Sequence, residues 1–257
     1  MKLSLKDMRD YLNEKVVQYN RPDFIPFDPI SIPHSFSKKE DIEISAFLAA
    51  TISWGNRKSI VTNANRIMDL MDRAPYDFIL NHKTADLRSM NSFVHRTFNG
   101  EDLAGFVKCM RHLYSEFGGL EQVFFEGFEK GEADVAISFF REKFFEGKHA
   151  ARTEKHVSNP LAGSSSKRLN MYLRWMVRND QAGVDFGIWK KISPSKLSLP
   201  LDVHTGNVGR TLGLLSRTQN DWKAVAEIDQ ALRTLDPKDP VKYDFALFGI
   251  GVSGELN

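Results

Sequence analysis

The sequence predicts an all-α protein, and three observations support this fold class. Apolar residues recur at helical spacing in successive segments, and no alternating strand pattern of useful length occurs. Hydrophobic residues make up 42% of the chain and include 19 phenylalanines, enough for a substantial core. The chain has 257 residues, which suffices for one large domain or for two helical lobes.

The N-terminal elements are two helices joined by a proline-rich connector. Apolar spacing predicts the first helix over residues 3–19. Residues 20–35 contain four prolines, which predict an extended connector. Ser37 and Glu40 have the spacing of a capping box, so we expect the second helix to start there. Asn56 then stands at the predicted start of a third helix.

The middle of the chain is predicted to be helical and to carry no chemistry. Pro75 is expected to end a helix, and residues 101–117 and 121–145 have helical apolar spacing. The single cysteine, Cys109, excludes a disulfide or a four-cysteine iron–sulfur cluster within the chain. We expect its thiol to be buried and inert. The seven histidines lack ligand spacing, so no metal site is predicted.

Two short motifs lie between residues 159 and 210. The first is a turn of small residues that leads into a helix and reads Leu161-Ala162-Gly163-Ser164-Ser165-Ser166-Lys167. The second lies at the start of a later helix and reads Pro200-Leu201-Asp202-Val203-His204. A lysine at a tight turn and an aspartate at a helix start provide a nucleophile and a carboxylate that folding could bring together.

These motifs resemble those of the helix-hairpin-helix DNA glycosylases, the HhH-GPD superfamily. The matches to the family patterns Leu-Pro-Gly-x-Gly-x-Lys and Pro-x-Asp-Val-His are Leu161, Gly163, Lys167, Pro200, Asp202, Val203 and His204. Ala162 and Ser165 depart from the hairpin pattern, which has proline and glycine there. An inserted loop at residues 181–198 makes the archaeal branch of the 8-oxoguanine glycosylases the closer analogue. The whole chain also resembles an uncharacterised bacterial family with the same lysine-to-aspartate block.

The resemblance implies a DNA repair enzyme, a glycosylase with β-lyase activity that excises an oxidised purine such as 8-oxoguanine. Lys167 would attack C1′ of the sugar, and Asp202 would stabilise the positive charge that develops there. An aspartate at a helix start is often only an N-cap, but the matched context favours the catalytic role. The resemblance implies no cofactor, although the family's hairpin commonly binds a cation through backbone carbonyls.

The same resemblance implies a set of DNA contacts. Backbone phosphates would be bound by the hairpin residues Gly163, Ser164, Ser165 and Ser166 and by His204 and Arg210. Asn56 and Arg57 would face the base opposite the lesion, although Asn56 fits an N-cap equally well. Asp244 and Phe248 would recognise the everted base through its Watson–Crick edge and by stacking. The alternative for this pair is a solvated aspartate and a core phenylalanine.

Charge supports a polyanionic partner and leaves two alternatives open. The formal net charge is only +2, but residues 151–217 contain eleven Lys/Arg against four Asp/Glu, a net of +7. Such a basic segment is typical of a nucleic-acid contact, and a solvated basic helix face is the alternative. A non-catalytic helix-hairpin-helix protein that binds duplex DNA would need neither Lys167 nor Asp202. A helical scaffold would leave the basic segment unexplained.

The expected organisation follows from these assignments. Helices in residues 1–50 should pack with a C-terminal lobe, residues 201–257, that carries Asp202 and the base pocket. Residues 51–200 should form a helical domain that ends in the helix-hairpin-helix, at about 157–178, and in the inserted loop. We expect a monomer that binds double-stranded DNA in the cytoplasm, associated with the nucleoid. No apolar run approaches the ~18 residues that cross a membrane, and no signal segment is recognisable.

Overall fold

A computed structural model of the protein describes residues 4–255, and it confirms the all-α class. Within these residues there are eleven α-helices, several short 3-10 turns and one two-stranded hairpin. The chain forms two compact units, which we call the terminal unit (residues 4–23 and 160–255) and the central unit (residues 24–159). No helix in the described part of the chain is both long and apolar enough to cross a membrane.

The central unit is built around a cluster of phenylalanines. Its elements are α2 (Lys39–Thr51), α3 (Arg57–Asp69), α4 (Pro75–Asn81), the hairpin β1–β2 (Val94–His95 and Phe98–Asn99), α5 (Gly100–Glu116), α6 (Leu120–Lys130) and α7 (Ala133–Phe144). Phe47 of α2 lies at the centre, with ring centroids 5.7, 5.5 and 5.4 Å from those of Phe106, Phe140 and Phe144. Such aromatic pairs stabilise the core beyond the area they bury.

The terminal unit combines the first helix with the C-terminal half of the chain. Its helices are α1 (Leu5–Tyr19), α8 (Lys167–Val177), α9 (Val203–Thr211), α10 (Trp222–Leu235) and α11 (Tyr243–Ser253). Helix α11 packs against both α1 and α9. Leu12, Val208, Ile228 and Leu247 are among the buried residues of their shared core. Because α1 belongs here and α2 to the central unit, the units do not divide at the expected residues 50 and 200.

Three local expectations prove wrong for reasons of backbone chemistry. The proline-rich connector is not extended but forms the 3-10 turns Pro22–Phe27, Pro29–Ser31 and Pro33–Ser35. Pro75 begins α4 instead of ending a helix, since the N–H that proline lacks would have no intrahelical partner at the first helical position. Helix α2 has Lys38 as its N-cap, and its residues show no side-chain cap bond in the described structure, so no capping box forms.

Candidate active site

The hairpin before α8 is held against the start of α10. Gly163 has a φ of +92°, a backbone conformation that favours glycine. Its N–H donates to Pro160 O at 2.7 Å, and its carbonyl accepts from Trp222 N at 3.1 Å. Ser164 forms an isolated antiparallel β-bridge with Asp221, the residue before α10, and the Ser164 hydroxyl accepts from Ser166 N at 3.2 Å. The turn is therefore anchored on both sides.

The backbone at Ser166 determines where α8 begins. Ser166 is the N-cap and adopts the left-handed conformation, with φ 48° and ψ 36°, which is unusual for a residue other than glycine. Its side chain forms no cap bond with the described residues, and Lys167 becomes the first residue of the helix. The segment before the hairpin is a 3-10 turn, Pro160–Ala162, so the expected element at residues 157–178 is α-helical only from Lys167 onward.

Asp202 is the N-cap of α9, and it caps with one carboxylate oxygen. Asp202 Oδ1 accepts from Thr205 N and from Thr205 Oγ1, each at 3.0 Å, while Asp202 N donates to Thr205 Oγ1 at 2.8 Å. Asn220 Nδ2 donates to Asp202 O at 2.9 Å and fixes the chain at the same point. The two-way cap orients the carboxylate, and its other oxygen, Oδ2, remains available for a different contact.

That other oxygen faces Lys167. Lys167 Nζ lies 3.9 Å from Asp202 Oδ2, and the two side chains are 29% and 22% exposed. The sulfur of Met171, one turn along α8, lies 3.8 Å from the same nitrogen. At 3.9 Å the two charges attract each other without a close hydrogen bond. The structure thus brings together the amine and the carboxylate that the two motifs supply, and solvent reaches both.

Asp244 of α11 is buried and ion-paired, so the alternative of a solvated aspartate is wrong. It is only 6% exposed, and its Oδ2 accepts from Arg174 Nη1. Burial raises the pKa of Asp244 to about 6; Arg174 opposes this shift, and the negative charge of Asp202 adds to it. Asp244 is therefore electrostatically coupled to the lysine–aspartate pair.

Arg174 belongs to a buried network that also includes the inserted loop. Its Nε lies 3.3 Å from Asp185 Oδ1, and Arg178 Nη1 lies 3.1 Å from Asp185 Oδ2. Arg178 also pairs with Asp239, at 2.9 Å, and with Asp180. Burial raises the pKa of Asp185, against the attraction of both arginines. Residues 181–198 are therefore not a peripheral insertion, because they carry a buried partner of α8.

Only one sign of this network is visible in the sequence. Arg174 and Arg178 lie four positions apart in a segment whose other residues are apolar, and charged residues on such a face need buried partners. The partners could not be identified from spacing. Asp185 is 11 positions from Arg174, and Asp244 is 70 positions away.

His204, two residues after Asp202, packs against Phe248 of α11. Their ring centroids are 6.0 Å apart and the rings are nearly perpendicular, at 79°. Phe248 is half-buried and His204 is exposed, so Phe248 is not a fully enclosed core residue. Helices α9 and α11 approach closely here, because a Cβ on Gly251 would come within 2.9 Å of His204 Cβ. Phe248 is one turn from Asp244 on α11, so both lie near the start of α9.

Arg210 has a structural task that competes with the expected phosphate contact. Its Nε donates to Arg217 O at 2.8 Å, and its Nη2 donates to Thr218 O at 2.9 Å and to Asn220 Oδ1 at 2.5 Å. These bonds order the loop that leads to α10 and occupy three of the five N–H donors of the guanidinium, while Nη1 lies 3.5 Å from Asn207 Oδ1. Other basic residues of the segment 151–217 are similarly engaged within the protein, namely Arg152, Arg174, Arg178 and Arg217.

Asn56 and Arg57 belong to the central unit. Asn56 Oδ1 accepts from Ser59 N at 3.1 Å, which confirms Asn56 as the N-cap of α3. Arg57 is exposed, and its Nε lies 4.0 Å from Asp28 Oδ2. Their contact with an opposing base remains a prediction. Cys109 is buried as expected, and burial raises the pKa of its thiol to about 12.

Among residues 4–255, no group of three or more His, Cys, Asp or Glu side chains is arranged to hold a metal ion. The terminal unit thus presents a lysine and an aspartate at the starts of two helices, with a buried arginine–aspartate network behind them. The chain belongs to the DUF2400 family, described as a protein of unknown function, which matches residues 28–253. That range contains Lys167, Asp202 and Asp244 and leaves out α1. No curated protein and no solved structure matches the chain.

Proposed function

We propose that the protein is a DNA glycosylase with β-lyase activity that removes an oxidised purine of the 8-oxoguanine type from double-stranded DNA. The observation that carries this proposal is the separation of 3.9 Å between Lys167 Nζ and Asp202 Oδ2, with both side chains open to solvent. The two groups come from helix starts 35 positions apart in sequence. A protein that only bound DNA would have no use for this pairing.

The proposed reaction begins at the sugar of the damaged nucleotide. Lys167, with its amine unprotonated, attacks C1′ as the bond to the purine breaks, and the electron pair of that bond leaves with the base. Positive charge develops on the sugar in the transition state, where the carboxylate of Asp202 stabilises it. The amine-linked sugar then loses a proton from nitrogen and opens its ring, because the C1′–O4′ bond breaks and O4′ takes up a proton, which leaves a Schiff base at C1′. Loss of a C2′ proton then breaks the C3′–O3′ bond, and the 3′ phosphate leaves with its electron pair.

The cap geometry explains how Asp202 performs this role while it holds α9 in place. Its Oδ1 is fixed by Thr205 and its Oδ2 faces Lys167, so the charge is oriented before substrate arrives. A preorganised charge contributes more than one that must reorient during the reaction. The cap and the catalytic role are therefore compatible, and one side chain serves both.

Base recognition would fall to Asp244 and Phe248, next to the pair. The ring of Phe248 is half-buried and so has a surface on which a base could stack. Asp244 accepts hydrogen bonds when ionised, which suits the N1–H and N2–H₂ donors of a guanine-type edge. Its ion pair with Arg174 keeps the carboxylate in place on α11. This assignment requires the base to leave the duplex.

The hairpin residues 163–166, with the start of α8, would hold the DNA backbone, and His204 would lie near it. Contacts of this type bind phosphates without reading sequence, so duplex affinity should fall steeply as salt rises. The proposed enzyme would act as a monomer on chromosomal DNA, which places it in the cytoplasm at the nucleoid.

Borohydride trapping on a duplex with 8-oxoguanine opposite cytosine tests the proposal. Reduction of the Schiff base should leave a covalent protein–DNA adduct with the wild-type protein. Lys167→Gln should abolish the adduct and keep duplex binding, whereas Lys190→Gln, at an exposed lysine of the same unit, should trap normally. A salt-dependent binder that gives no adduct with any oxidised purine would favour the alternative, a non-catalytic duplex-binding protein. An adduct that persists in Lys167→Gln would assign the chemistry to another amine.

A further inference from the structure

A cavity of about 400 Å³ opens in the central unit, along the first turns of α5, and the proposed function does not use it. Ala104 and Gly105 of α5 line one side. The 3-10 turn Asp86–Ser92 lines a second side, and residues 148–150, which follow α7, line the third. The cavity is a notch between three segments of the chain.

The walls of this cavity are fixed by backbone contacts at glycines. A Cβ on Gly100 would lie 2.1 Å from Met90 O, so the 3-10 turn is packed directly onto the start of α5. A Cβ on Gly147 would lie 2.6 Å from the Cα of Cys109, which fixes the opposite wall. His149 Nδ1 lies 2.6 Å from Gly147 O and orders the same segment. The backbone walls of the cavity are thus preformed, whereas the side chains of Arg88 and Lys148 at its edge are exposed.

Three cationic side chains line the cavity, one from each wall: Arg88, Lys108 and Lys148. None of them forms an ion pair with any residue in the range 4–255 that the structure describes. The one acidic residue of the lining, Glu101, lies 3.6 Å from Arg152. Like charges that share a cavity repel one another, and an anion would relieve that repulsion.

We propose that this cavity binds the phosphate group of a small phosphorylated molecule about the size of a mononucleotide. Arg88, Lys108 and Lys148 would hold the phosphate, while Leu87 and Ala104 supply an apolar surface for the rest of the ligand. The volume of about 400 Å³ lies within the range of ~300–1,000 Å³ that is typical of small-molecule sites. A concave site of this size favours a small ligand over the outer face of a duplex.

The test is an NMR titration of the full-length protein with inorganic phosphate, with dAMP and with a short DNA duplex, all at constant ionic strength against chloride. We expect saturable shifts of the Ala104 and Gly105 amides with dAMP. Lys108→Ala and Lys148→Ala should each weaken dAMP binding about tenfold, since each removes one charge-assisted contact. Lys155→Ala removes an exposed lysine of the same unit that does not line the cavity, and should bind dAMP like the wild type.

The other outcomes overturn the proposal. If neither phosphate nor dAMP gives saturable shifts, the cavity holds no phosphorylated ligand. If only the duplex shifts these amides, the cations belong to a DNA contact and the small-molecule assignment fails. An equal loss in Lys155→Ala would mean diffuse charge attraction without a site. Binding of both phosphate and dAMP, or of dAMP alone, supports the proposal.

Discussion

The two ends of α8 carry two kinds of ion pair. At its first residue, Lys167 faces Asp202 at 3.9 Å, and solvent reaches both. At the other end, Arg174 of the last turn and the C-cap residue Arg178 are buried against Asp185, and Arg174 also pairs with Asp244. We call the accessible end of the helix, with Lys167 and Asp202, the open end. The buried end, with Arg174 and Arg178, is the closed end.

The difference shows which charges are available for chemistry. A buried charge without its partner is very costly, so the arginines and aspartates at the closed end must remain paired. An accessible pair at 3.9 Å contributes little to stability and can exchange its partner for a substrate. We therefore expect substitutions at the closed end to affect folding first, and substitutions at the open end to affect reaction first.

The largest expected effect lies at the closed end. Arg174→Met removes the partner of two buried aspartates and should lower the free energy of unfolding by about 3–5 kcal/mol. Chemical denaturation followed by circular dichroism measures it. Lys190→Met, at an exposed position of the same unit, is the control and should change it by less than ~0.5 kcal/mol. A loss below ~1 kcal/mol in Arg174→Met would show that burial does not distinguish the two ends.

The open end should show the reverse pattern. Asp202→Asn keeps an N-cap residue, so stability should change little, but it removes the charge next to Lys167. Single-turnover base excision should slow by ~10²–10³, or about 2.7–4 kcal/mol. The double variant with Lys167→Gln should be little worse than Lys167→Gln alone, because both residues act on one transition state. Unchanged excision would remove Asp202 from the chemistry.

The pH dependence of stability tests the burial of Asp244 at the closed end. Because burial raises the pKa of Asp244 to about 6, the folded state holds this proton more tightly than the unfolded state. Its stabilising contribution is present below pH ~4 and is lost as the pH rises through about 6, an effect on the order of 2–3 kcal/mol. Asp244→Asn should therefore reduce the fall in unfolding free energy between pH 4 and pH 7.

Asp236 provides the control of opposite sign. Burial opposes the shift, but hydrogen bonds from Lys242 and from the backbone outweigh it and lower the pKa of Asp236. Its stabilising contribution is present above pH ~4 and is lost as the pH falls below that, so Asp236→Asn should reduce the loss of unfolding free energy in acid and leave the slope between pH 4 and pH 7 nearly unchanged. A slope between pH 4 and pH 7 that is the same in Asp244→Asn as in the wild type would contradict the assignment of Asp244 to a buried, charge-coupled position.

The smallest expected effect concerns backbone conformation at the open end. Gly163→Ala meets open space but must adopt a φ of +92°, so it should cost about 1–2 kcal/mol of stability and weaken duplex binding through the distorted hairpin. Gly183→Ala is matched, with a φ of +76° and equally open space in the inserted loop. It should cost similar stability and leave duplex binding, measured by fluorescence anisotropy, unchanged. Equal binding losses would remove the hairpin from the DNA contact.

The sequence was sufficient for the features that depend on local chemistry. Helical periodicity predicted the all-α class, and the helix-start preferences of asparagine and aspartate predicted the caps at Asn56 and Asp202. The juxtaposition of Lys167 and Asp202 came from matched motifs, because spacing alone does not place two helix starts together. Whether the pair catalyses a reaction remains a prediction.

What the sequence could not supply are the long-range partners. The ion pairs of Arg174 join three separate segments, and the guanidinium of Arg210 bonds to a loop that has no pattern of its own. A basic residue can face solvent, contact DNA or pair with a buried carboxylate, and only the fold determines which of these it does. For this reason the charge count of residues 151–217 overstates the cationic surface that DNA could meet.

Because the two carboxylate oxygens of Asp202 make two different contacts, few residue types could replace it. One oxygen caps α9 and the other faces an amine, so asparagine, serine or threonine would preserve the cap without the charge, and glutamate would preserve the charge without the short reach of the cap. None of these substitutions maintains both. Under the proposed function, family members that keep the fold without the reaction should therefore carry asparagine, serine or threonine at this position.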